Sequence, residues 1–147
     1  MGTYTQYTTL NEITEYHDDR ILNQLSFDTG DESEIDTDVI ESIIKSMNNF
    51  IDGYVKYKYI TPIANEKIPD YLKAIARFLV IYELHIRRHN YVTNEVMNVY
   101  NSYIKQLEKI KDGIVLLDLD LLNDYIGSKL YISTKPAVFT NEILNKY

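Results

Sequence analysis

The sequence predicts a mainly α-helical protein, a small bundle of three long helices with short helices before it and an extended C-terminal tail after it. Three observations carry this. Apolar residues recur at three-and-four spacing through three long stretches. Each stretch opens on residues suited to starting a helix: Asp36-Thr37, Pro69 and Thr93. Beyond Gly113 the helical stripe stops, and short apolar runs with turn signals replace it.

Taken in order, a short helix is expected over Leu10 to Tyr16, because Thr9 can cap it and Glu12 stands three residues on, as a capping box requires. "RILNQLSF" adds a further turn or two. The polar, acidic stretch 28–38 reads as a loop. The next helix has Val39, Ile40, Ile43, Ile44, Met47, Phe50, Ile51, Tyr54 and Val55 on its apolar side. The same spacing carries into "YVKYKY", which is read as the last turns of this helix and not as a strand. Gly53 inside it costs roughly 1 kcal/mol relative to Ala, and the expected reason is close approach of another backbone. Thr61-Pro62 then stops the helix.

The helix from Pro69 carries Leu72, Ile75, Ala76, Leu79 and Ile86, and ends on "RRHN", with cations near the negative end of its dipole. The helix capped by Thr93 carries Val96, Val99, Tyr100, Tyr103, Ile104, Leu107 and Ile110, and Gly113 sits where a C-terminal cap is expected. Residues 1–113 therefore read as one helical domain and 114–147 as an extended segment, with a hairpin across Ile126-Gly127-Ser128. Pro136, Val138, Phe139, Ile143, Leu144 and Tyr147 make the end of the chain apolar, and such a stretch must be buried against something.

With 147 residues the chain suits one domain. It has no cysteine, which excludes disulfides and thiolate metal sites. No apolar run of ~18 residues is present, and the N-terminus has no secretory pattern. The net charge of -7 is uneven: residues 1–38 hold ten acids against Arg20 alone. That front end repels nucleic-acid phosphate, so specific DNA binding is not expected.

No stretch carries recognisable chemistry. His85 and His89 have the four-residue spacing of paired zinc ligands, but the flanking Arg87 and Arg88 disfavour a cation. Asp118, Asp120 and Asp124 fit no calcium frame. Phosphate loops, nucleophile elbows and cysteine nucleophiles are lacking. No enzyme activity, cofactor or metal is expected. The 14 tyrosines, several of them along the long helices, are more than a monomer of this size buries easily, which points to an oligomer.

The order of segments resembles the Mu-like prophage "gene product thirty-six" family. The resemblance runs over "YTTLNEI", "ILNQLS", the helix from Val39, "IPDYLKAIARFLVIYEL", "VYNSYIKQLEKIKDGIVLL" and "KPAVFTNEILNKY", with "IDGYVKYKYITPI" its most specific stretch. In that helix-corner signature Ile51, Asp52, Gly53 and Tyr54 match the family pattern. Lys58-Tyr59 stands for Arg-Tyr, and one extra residue precedes Pro62. The stretch between Leu117 and Ser133 has no counterpart in the pattern.

The resemblance implies a structural virion protein, a head-tail connector or adaptor at the phage neck, assembled in the host cytoplasm without membrane contact. Its implied partners are a portal protein, a tail or stopper protein, and its own copies in a homo-oligomeric ring, a dodecamer by analogy. The tail residues Pro136, Val138, Phe139, Ile143, Leu144 and Tyr147 would dock on the portal or a neighbouring subunit. Asp28, Asp31, Glu32 and Glu34 would face the DNA channel, where a like-charged wall lets DNA pass without specific binding. A rival reading, a small helical regulatory or antitoxin-like binding module, requires a basic recognition helix. Only Lys105, Lys109 and Lys111 approach that character.

Overall fold

A computed structural model describes residues 5–28, 34–89 and 91–122. Among the described residues five α-helices follow in order: α1 Leu10–Tyr16, α2 Asp19–Ser26, α3 Thr37–Val55, α4 Asp70–His89 and α5 Asn94–Lys111, with a 3-10 turn at Asn65–Lys67. Among the described residues the one β feature is an isolated antiparallel bridge between Tyr59 and Leu121.

Local chemistry explains the helix starts. Thr9 and Glu12 form the reciprocal capping box, each side chain meeting the other's backbone N–H. Asp18, Asp36 and Thr93 cap α2, α3 and α5 with side-chain oxygens. The expected starts near Thr37, Pro69 and Thr93 hold, although Pro69 stands just outside α4, where its carbonyl accepts from the Leu72 and Lys73 amides. Gly113 closes α5 with φ 79°, a left-handed conformation that an L side chain resists.

Packing joins these helices through two apolar clusters. The larger lies between α3, α4 and the end of α5, around Ile51, Val55, Leu72, Ile75, Leu107 and Ile110. The smaller seats α1 and α2 against α3 and α4 through Ile13, Leu22, Leu25, Ile40, Val80 and Leu84. Burying each such side chain contributes about 1.5–3 kcal/mol. The two buried residues of α5, Leu107 and Ile110, both lie in its last turns. Its first half is held by half-buried aromatics instead, Tyr100 stacked on Tyr82 and Tyr103 tilted against Phe78.

Two expectations about the corner after α3 are corrected. The helix ends at Val55, and "KYK" forms a turn in which the Lys58 and Tyr59 amides both donate to the Val55 carbonyl. Tyr59 leaves the helix because the chain 117–122 recruits it. Nor does Gly53 face a neighbouring backbone, since a Cβ there would meet nothing within 4 Å. The chain after Gly113, expected to be extended, instead bends at 114–115 and 118–119, where the Leu119 amide donates to the Leu117 carbonyl, and it is not detached from the helices. Val115, Leu117, Leu119 and Leu121 pack on the larger cluster, while the alternate residues Ile114, Leu116, Asp118 and Asp120 face solvent. The hairpin across 126–128 and the tail from Pro136 lie outside the described residues.

Candidate functional site

The most organised feature is the corner built from Ile51, Asp52, Gly53, Tyr54, Tyr59 and Pro62. Helix α3 points its last turns at the N-terminal segment on one side and at the chain after α5 on the other. Ile51 is fully buried and anchors the helix. One residue on, Asp52 Oδ1 accepts the Tyr7 hydroxyl at 2.8 Å. Burial first, and then that carboxylate, push the Tyr7 hydroxyl well above the ordinary phenol range, so it stays protonated and keeps donating. Tyr54 turns toward the aromatics, edge-on to Phe50. A side chain at Gly53 would meet no neighbour, so its place in the signature has no packing explanation.

Tyr59 carries the other half of the corner. Its ring is 1% exposed, and its hydroxyl accepts from the Leu117 amide at 2.7 Å. Two backbone bonds flank it, Ile60 N–H to the Asp120 carbonyl at 3.0 Å and Leu122 N–H to the Lys58 carbonyl at 2.8 Å. The Thr61–Pro62 peptide is cis, and the next amide, Ile63 N–H, donates to Thr5 Oγ1 at 2.9 Å. Asn48, four residues before Asp52, completes the arrangement. Its Oδ1 accepts the Tyr7 and Thr8 amides and its Nδ2 donates to the Thr8 carbonyl. The corner thus latches both ends of the described chain to α3.

Sequence reading missed Asn48, Tyr7 and the outward side chains of 114–122. A signal for Asn48 existed. It interrupts the apolar line Ile40, Ile44, Ile51, Val55, and a polar residue on such a line must find partners inside. Tyr7 had no such signal, because its partner lies 45 positions away.

The acidic front end is exposed at Glu15, Asp18, Asp19, Glu34 and Asp38. Asp28 is exposed and pairs with Arg87, which also donates to the Leu25 carbonyl. Asp31 and Glu32 lie outside the described residues, as do Pro136, Val138, Phe139, Ile143, Leu144 and Tyr147. His85 and His89 stand with ring centroids 5.9 Å apart, and burial lowers the affinity of His85 for a proton. Among the described residues no group of three or more His, Asp or Glu is placed to hold a metal. None of the described helices is long and apolar enough to cross a membrane. Lys105, Lys109 and Lys111 are exposed on α5 but share it with Glu95 and Glu108, so they form no continuous basic face.

Comparison with known families finds a match to the family described as Bacteriophage Mu, Gp36, over residues 7–126. It starts at the tyrosine held by Asp52 and runs past Leu122, so it includes 117–126, for which the sequence pattern offered no counterpart. No curated protein matches the chain significantly.

Proposed function

The chain belongs to the Bacteriophage Mu Gp36 family, and from that membership we propose that it is a head-tail connector. In this reading, copies form a ring beneath the portal protein and join the DNA-filled head to a tail or stopper protein. The observation that carries it is the latch. It binds the N-terminal segment, the end of α3 and the chain 117–122 into one body, and so fixes Leu122, the residue from which the C-terminal segment continues. A connector needs that division, a rigid body to form the ring and a terminal segment to reach its partner.

The exposed acids Glu15, Asp18, Asp19, Glu34 and Asp38 suit a surface past which DNA slides without sticking. The apolar residues Val138, Phe139, Ile143 and Leu144 suit docking in trans on the portal or a neighbouring copy.

Light scattering of the full chain, alone and with the portal protein of the same phage, tests the reading. A ring that co-elutes with the portal is expected. A chain that never binds the portal overturns it. Deleting residues 136–147 should leave helicity and melting temperature unchanged while portal binding fails. Loss of monomer stability with portal binding intact would reject docking in trans.

A further inference from the structure

The 3 histidines of the chain meet at one place, the seam between the end of α1 and α4. His17 follows α1 directly, and His85 acts on it across the seam. His89 stands one turn further along α4, its ring 5.9 Å from that of His85. Arg77, two turns before His85, lies over the Tyr16 ring at 4.2 Å and also acts on His17. Lys73 precedes Arg77 by one more turn. The charges that bear on His17 and His85 are thus all cations, or become cations in acid.

The remaining charged groups of the surrounding elements are engaged elsewhere or stand in water. Asp18 caps α2 and pairs with Arg20, while Glu15 and Asp19 are exposed. Arg88 donates to the Gln24 carbonyl, and Arg87 donates to the Leu25 carbonyl and pairs with Asp28. Glu83 acts on Tyr100, on the α5 side of α4. Tyr91 shares a cavity with His85 and His89, and Glu95 is exposed in the first turn of α5. From α3, Glu41 and Lys45 stand at the opposite end of α1, beside Leu10 and Asn11. Among the described residues none of these carboxylates pairs with a histidine.

We propose that this histidine row is a pH-sensitive seam, at which acid lifts α1 and α2 off α4 as a unit while α3, α4 and the end of α5 stay packed. The division follows the two apolar clusters. Ile13, Leu22 and Leu25 of α1 and α2 all belong to the smaller one, which shares with the larger only the half-buried Met47. The segment before α1 stays behind, because Asn48 and Asp52 hold Tyr7 and Thr8 to α3. In the closed form a protonated His17 would stand among Arg77, His85 and His89; lifting α1 moves it into water. Burial and these neighbours favour the neutral rings while the seam is shut, and the open form takes up the protons. Opening therefore gains as pH falls through about 6.5. Histidine is the side chain whose ordinary charge change lies in that range. Opening uncovers Val80 and Leu84 of α4 with Ile40 and Ile44 of α3, an apolar face that the closed form hides.

Hydrogen exchange of the full chain, read by mass spectrometry at pH 7.5 and 5.5 and corrected for the intrinsic rate at each pH, tests this. Protection over residues 10–26 should fall severalfold at pH 5.5, while residues 72–80 and 104–111 keep theirs. His17→Gln and His85→Gln, each confirmed as folded by circular dichroism at pH 7.5, should each remove part of that fall, and the double variant all of it. Equal loss of protection in all five helices would mean global unfolding and overturns the seam. An unchanged pattern at pH 5.5 overturns it too, as does a fall that persists in full in both single variants.

Discussion

Asn48→Ala is the substitution that most directly probes the latch. Asn48 is 1% exposed and makes three hydrogen bonds to the N-terminal segment, at 3.1, 3.2 and 3.2 Å. Truncation leaves the Tyr7 amide, the Thr8 amide and the Thr8 carbonyl without partners. A buried orphan of this kind costs about 1–3 kcal/mol. An open cavity lined by Thr8, Glu41, Lys45 and Asn48 adjoins the site and admits water, so the lower end of that range applies to each group. Better helix propensity of Ala returns roughly 0.6 kcal/mol. The net loss is about 2.4 kcal/mol, or roughly 5–10 °C in melting temperature for a chain of this size. Urea unfolding followed at 222 nm measures it. Asn48→Asp keeps both acceptors and loses only the donor, so it should fall between Ala and wild type near neutral pH. A loss below about 1 kcal/mol for Asn48→Ala would show that the N-terminal segment is held by Tyr7 packing and not by this amide.

Other consequences are simpler to state. Gly53→Ala should stabilise by up to about 1 kcal/mol, since the space is open and the backbone helical; a destabilised variant would mean that the face is covered in the assembled protein. Gly113→Ala should lose about 1–2 kcal/mol from its positive φ, because the Lys58 side chain it would touch can move aside; unchanged stability in urea would refute the left-handed cap. Acid should weaken the fold. His17 is held below its ordinary pKa of 6.5 by burial, then by Arg77 and His85, and His85 by burial, then by His89. The unfolded chain therefore binds protons that the folded one resists, and stability falls as pH drops through about 6.5. Melting temperatures across pH 7.5 to 5 check this, and His17→Gln with His85→Gln should flatten the slope.

What the sequence made legible was local. Caps at Thr9, Asp36 and Thr93 and a glycine after α5 act within one turn of their own positions, and those boundaries came out close to where the structure has them. The failures lie where distant partners decide. Residues 56–59 continue the helical spacing of α3 on paper, yet Tyr59 gains a buried ring, a hydroxyl bond to Leu117 and a backbone bridge to Leu121, none of which spacing can reveal. Gly53 drew attention by its type, whereas the residue beside it, Asp52, makes the contact.

That difference changes how the corner is understood. A signature read as two helices crossing at a glycine concerns packing alone. A signature in which Asp52 holds Tyr7 and Tyr59 holds Leu117 concerns how the N-terminal segment and the chain after α5 are seated on α3. The bond from Leu117 to Tyr59 spans 58 positions, so the path of the segment after α5 is set by the end of α3. Loosening Tyr59 would then free the strip that carries Ile114 and Leu116 while leaving the helices formed. The residues that look like a helix end are, on this structure, the point from which the protein's exposed apolar edge is aimed.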